Sequence, residues 1–282
     1  MSESTRPRKD HHIQPPSLSR HTIIREAEDL TKRFARVFGL KPPLLAINFD
    51  LVYEHVIYPE YEICLVEDQD LGHCDDGAKI LGIYEPLSNT VYIDETIGPT
   101  SGDARRTFTL WHEVGGHGIL QGNWLRAELN RLRRSSAIIT TEESLDKDTS
   151  DTLEQQANLF AAYSAAPTWL LNYAIKTTFD VTRPIRYIGR RKYCLDVRHT
   201  TRFYDVENFN ELCRIIAHHI KWLFGGLSTE ALSYRVERSP LVVDESREFT
   251  ARAFRLRRTA RGRRPFAPIA ASWEMTVVVP SS

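Results

Sequence analysis

The sequence predicts an α+β fold: a small, mostly antiparallel sheet packed on one long helix, with additional helices on the outer side. Three observations lead to it. Apolar residues recur at helical spacing from Ile23 onward. Short β-like runs follow between residues 44 and 93. Helix-period patterns return after residue 101 and dominate the rest of the chain.

Taken in order, residues 1–20 are polar, contain prolines and lack periodicity, so a disordered tail is expected. His11 and His12 are read as tail composition. Ile23, Ile24, Ala27, Leu30, Phe34, Val37 and Phe38 share one helix face, and Gly39 ends the run. Lys41-Pro42-Pro43 then breaks any helix. Strands are expected at 44–49, 63–66, 80–84 and 90–93, the last two flanking a hairpin loop at 85–89. A helix is expected over 101–120, an acidic Ser/Thr-rich connection over 141–151, and a second helix over 152–165, punctuated by Pro167. Another covers 206–224, closed by Gly225-Gly226. Ser228 can cap a short helix through Val236.

Composition narrows the class. With 41% hydrophobic and 26% charged residues, the chain reads as an ordinary soluble protein. Thirty-seven basic residues balance thirty-seven acidic ones, which argues against a global field for nucleic acid or membrane. No apolar run is long enough to span a bilayer, and the N-terminus has no apolar core of the signal-peptide kind. Cys64, Cys74, Cys194 and Cys213 lie far apart with no CxxC pair, so a reduced, cytoplasmic chain is expected.

The chemistry concentrates in Thr107-Phe-Thr-Leu-Trp-His112-Glu113-Val-Gly-Gly-His117. Zincins set two zinc-binding histidines one helical turn apart, as HExxH, with the glutamate taking a proton from the metal-activated water. Here the spacing is HExxxH. On an ideal α-helix, i and i+4 lie roughly 40° apart, but i and i+5 lie roughly 140° apart. A π-type bulge, whose turn holds about one extra residue, would bring the two rings back to one side. Gly115 and Gly116, between the histidines, are suited to absorb it. A third ligand is sought on another helix. Glu154, Ala157, Asn158 and Ala161 share one helix face, combining a carboxylate, small residues that permit close approach, and an amide. Asn158 could hold a ligand or the chain by hydrogen bonding. The competing reading of Glu154 is a capping box with Asp151.

Phe108-Thr-Leu-Trp-His112-Glu113…Gly116-His117, then Glu154-x-x-Ala157-Asn158-x-Phe160-Ala161 and Pro167, resembles the ImmA/IrrE metallopeptidases. In that family the pattern is close to FTLAHELGH, then ExxANxFA and a proline. The segment 82–94 is similar to the family's hairpin before the metal helix, and 224–235 to its FxVSxxALxxRL segment. The resemblance covers about residues 21–240, which divides the chain into a tail (1–20), a peptidase-like domain (21–240) and an extension (241–282). The extra glycine departs from the family, although dipeptidyl peptidase III enzymes carry an HExxxH and bind zinc. The resemblance implies a zincin-like core and a zinc endopeptidase. His112, His117 and Glu154 are then the Zn2+ ligands and Glu113 the general base. The implied substrate is a protein, typically a transcriptional repressor.

Two alternatives stand beside it. The extra glycine could have degraded the metal site, leaving a non-catalytic protein that binds a regulator. The eight arginines at 247, 252, 255, 257, 258, 261, 263 and 264 could contact nucleic acid, although a solvated tail is the plainer reading. His218 and His219, Tyr163, and the His73–Cys74 pair are further candidates by type, for which ordinary packing or loop roles are the plainer reading.

Overall fold

The computed structural model describes residues 15–39, 47–74, 77–99, 104–134 and 147–248. These form a mixed α and β structure with small sheets and no barrel, in keeping with the α+β class. The chain divides into two compact units, one comprising Met1–Phe34 and Phe49–Ser164, the other Ala35–Asn48 and Ala165–Ser282.

The first unit opens with most of helix α1 (Arg20–Phe38), whose last four residues belong to the second. Ser19 caps it by accepting the Thr22 amide at 3.1 Å. Ile23, Ala27, Leu30 and Phe34 are buried as their spacing requires, and Gly39 leaves the helix at a φ of 60°. Val37, expected on the same face, is 62% exposed. Of the strand expected at 44–49, residues 44–46 lie outside the described residues, and Phe49 opens helix α2 (Phe49–Val52). A π-turn at Tyr53–Ile57 and helix α3 (Tyr58–Tyr61) continue it.

Strands β1 (Cys64–Gln69), β2 (Gly82–Glu85) and β3 (Thr90–Asp94) form a sheet in the order β1-β3-β2. β2 and β3 make the expected antiparallel hairpin. β1, however, pairs with β3 in parallel, so the sheet is mixed rather than mostly antiparallel. Asn89 supplies the reason. Its side-chain amide donates to the Tyr61 and Glu62 carbonyls at 3.0 and 2.8 Å, and its backbone carbonyl accepts the Cys64 amide at 2.9 Å. The start of β1 is thereby held at the start of β3, and the two strands run the same way. The run 90–93 is the central strand, paired on both sides, and Thr90, Val91, Ile93 and Asp94 are all buried.

A continuous helical rod follows: α4 (Ala104–Leu110), a π-helix at Trp111–Gln121, and α5 (Gly122–Arg134). It runs past the expected end at residue 120. Trp111 is fully buried and meets the Phe49 ring edge-on at a centroid distance of 5.0 Å. Helix α6 (Lys147–Ala165) completes the unit and starts before the expected residue 152. Asp151 is therefore inside the helix and cannot be an N-cap, which removes the capping-box reading of Glu154.

The second unit contains elements beyond those expected from the sequence. These are helix α7 (Thr168–Phe179), with Pro167 at its N-cap, and strands β4 (Ile185–Tyr187), β5 (Arg191–Val197) and β6 (Thr200–Val206). Val206 ends β6, so the next helix starts later than expected, as α8 (Phe209–Ile220) capped by Asn208. Helix α9 (Thr229–Glu237) is capped by Ser228, which accepts the Ala231 amide at 3.0 Å, as expected. Strand β7 (Val242–Asp244) pairs in parallel with β4. Among the described residues no helix is long and apolar enough to cross a membrane. His11, His12 and the arginines from 252 to 264 lie outside the described residues.

One buried charge stabilises the sheet of the first unit. The Asp94 side chain is fully buried and accepts from the Thr96 amide and hydroxyl, the Leu71 amide and Lys79. Burial alone would raise its pKa, but these donors outweigh it and hold the carboxyl well below the ordinary range. A depressed folded pKa contributes stability that is present above the unfolded value of about 3.9 and lost as pH falls below it. Asp94→Asn, which sets an amide NH2 against those donors, is expected to cost about 1.5–3 kcal/mol in urea denaturation at neutral pH. It should also flatten the loss of stability below about pH 4.

Candidate metal centre

The expected one-residue bulge is a π-helix of 11 residues spanning both histidines. Its i→i+5 bonding returns His117 to the side of His112. The two Nε2 atoms lie 3.0 Å apart, and the rings meet edge-on at a centroid distance of 4.7 Å. Such a long π-helix is rare, and glycines accompany it here. A Cβ at Gly116 would lie 2.5 Å from Cα and Cβ of Ala157, and one at Gly115 would lie 2.7 Å from the Phe160 ring. The rod and α6 therefore touch backbone to backbone at this point, with Ala157 as the small residue expected there.

That approach carries Glu154 to the histidines. Its Oε2 lies 3.1 Å from His112 Nε2 and its Oε1 lies 3.2 Å from His117 Nε2. Three donor groups thus converge on one point. Tetrahedral N and O donors about 2.0–2.2 Å from zinc stand about 3.3–3.6 Å from one another. The observed separations of 3.0–3.2 Å need only a slight spreading to meet that requirement.

Glu113 is the second carboxylate beside the rings. Donor atoms of His112, Glu113 and His117 lie within 4.8 Å of one another, a grouping that could hold a metal ion by itself. The distances separate the two carboxylates. Glu154 touches both imidazoles, whereas Glu113 stands back, with its Oε1 4.0 Å from His112 Nε2. Gly82 on β2 leaves room for it: a Cβ there would lie 2.7 Å from Glu113 Cγ.

The two carboxylates have opposite electrostatics. Glu154 is half exposed, and hydrogen bonds from His112 and His117 hold its pKa far below the carboxylate range. Glu113 is buried, and desolvation raises its pKa against the pull of His117 and His112, helped by the charge of Glu154. Burial lowers the pKa of His117, but the Glu154 hydrogen bond and the nearby carboxylates raise it further, for a net upward shift.

Asn158 is exposed and makes no hydrogen bond to the cluster, so the expected supporting role is not observed. Gln121 takes that place: its Oε1 lies 2.9 Å from His117 Nδ1 and its Nε2 donates to the Leu153 carbonyl at 2.8 Å. No familiar motif includes a glutamine four residues after this histidine, and only its position at the end of a glycine-rich helical stretch set it apart. His219 is engaged with the Tyr204 hydroxyl at 2.6 Å, Tyr163 is buried, and His73 sits in an isolated bridge with Lys79. Comparison with protein-family models and with curated proteins finds no match.

Gly116→Ala tests the helix contact. The substitution favours an exposed helix by up to about 1 kcal/mol. Here its methyl group meets backbone that cannot rotate away, so the overpacking should prevail, with a net loss of about 1–3 kcal/mol in thermal or urea unfolding.

Proposed function

We propose that this chain is a cytoplasmic zinc-dependent endopeptidase with a zincin-like core, hydrolysing a peptide bond in a protein substrate. The observation that carries the reading is the convergence of His112 Nε2, His117 Nε2 and the Glu154 carboxylate within 3.0–3.2 Å, despite the lengthened motif. The resemblance of the His112 and Glu154 segments to the ImmA/IrrE metallopeptidases points to a transcriptional regulator as substrate.

In this reading His112, His117 and Glu154 hold Zn2+, each imidazole through Nε2. When bound, zinc supplies a Lewis acid that polarises a carbonyl and brings the pKa of a bound water from about 15.7 toward 7. Glu113 is the general base. Its burial and raised pKa suit a carboxylate that takes a proton and later delivers it to the leaving amine. Glu154, with its strongly depressed pKa, stays ionised as a ligand must. β2 is an edge of its sheet and lies against the π-helix beside Glu113, so an extended substrate added along this strand would present its carbonyl near the base. The degraded-site alternative presumes that the extra glycine separates the histidines, and the 3.0 Å approach speaks against that premise.

The test is metal content and cleavage together. The wild type should carry about one zinc per chain, and Glu154→Gln should lose most of it. Glu113→Gln should keep the metal but cleave a proteome-derived peptide library about 10²–10⁴-fold more slowly, as expected for loss of a general base. A wild-type protein that takes up no zinc would refute the proposal.

A further inference from the structure

Resting on that metal-centre reading, we infer that Gln121 is its positioning residue: one buried amide presets the His117 tautomer and holds the turn of α6 that carries Glu154. Gln121 has no exposed surface, and both ends of its amide are engaged. A buried amide left unpaired costs free energy, so its orientation is strongly determined.

That orientation follows from backbone chemistry. The Leu153 carbonyl can only accept, so the group facing it at 2.8 Å must be the Gln121 NH2. The Gln121 oxygen therefore faces His117, and Nδ1 must carry the hydrogen at 2.9 Å. Protonated on both nitrogens, His117 also donates from Nε2 to Glu154; the neutral ring that a metal requires keeps the Nδ1 hydrogen that Gln121 accepts and frees the Nε2 lone pair, on the atom that meets His112 and Glu154. A second glutamine agrees. The Pro16 carbonyl also only accepts, so the Gln156 NH2 faces it at 3.0 Å, and the Gln156 oxygen turns to the Gln121 NH2 across a longer 3.5 Å contact. Two backbone carbonyls thus polarise the whole chain of amides toward one imidazole. His112 has no such support: its Nδ1 is buried without a hydrogen-bond partner. Leu153 immediately precedes Glu154, so the same amide also sets where the carboxylate begins its reach.

Two variants separate this role from simple filling of space. Gln121→Met keeps the length and loses both polar ends. Gln121→Glu keeps an acceptor for Nδ1. Imidazole 15N NMR on metal-free protein, at a pH where His117 is neutral, should find the Nδ1–H tautomer in the wild type and Gln121→Glu, and a mixture in Gln121→Met. Chelator competition should find zinc held about 10–100-fold more weakly by Gln121→Met, the range for loss of a group that orients a ligand. A wild-type His117 protonated on Nε2 would overturn the inference, as would a Gln121→Met protein that retains both tautomer and affinity. If no variant binds zinc but the tautomers differ as expected, the metal reading fails and the positioning role stands.

Discussion

The contact between Gly116 and Ala157 is the constraint on which the candidate centre depends. Neither residue has a side chain long enough to separate the two helices, and the hypothetical Cβ at Gly116 would already overlap Ala157. Helix pairs usually keep their axes 8–10 Å apart, with small residues at the lower end. At that distance a glutamate one turn before the contact can reach histidines on the facing helix. Phe160, one turn after it, fills the surface beside Gly115. A single close approach thus accounts for the position of the carboxylate and for the packing beneath it.

Around that contact the protein sets two carboxylates in contrasting surroundings. Glu154 is half exposed and accepts from both imidazoles, so its charge is favoured. Glu113, on the rod itself, is enclosed beneath β2, so its charge is disfavoured. Neighbouring carboxyl groups with pKa values displaced in opposite directions are suited to different chemical roles. The difference comes from burial and hydrogen bonding, since both side chains are glutamate.

Much of this was legible in the sequence, for identifiable reasons. The histidine spacing, the intervening glycines and the small residues after Glu154 each have a local geometric meaning, so the convergence and the altered helix register could be read before the fold. The hairpin β2–β3 and the Ser228 cap carry equally local signals. What escaped was set by distant partners. The run 90–93 reads only as a strand, and its second neighbour, β1, pairs with it in parallel because Asn89 ties the two strand starts together. Gln121 looks like any polar residue near a helix end, and its importance comes from a carbonyl on another helix. Asn158 looked useful by type, but its side chain is exposed beside that contact.

The added residue in the π-helix also sets the phase of everything C-terminal to it. Gly122 fits beneath the Tyr84 hydroxyl, where a Cβ would lie 2.6 Å away, and Leu125 turns inward three residues later. Excising one residue to recover conventional histidine spacing would swing those positions by about 100° and draw them in by about 1.5 Å. The longer motif is consequently locked in place by the far end of its own helix. Any lineage or design that shortens it must rebuild the packing of Gly122 and Leu125 in the same step.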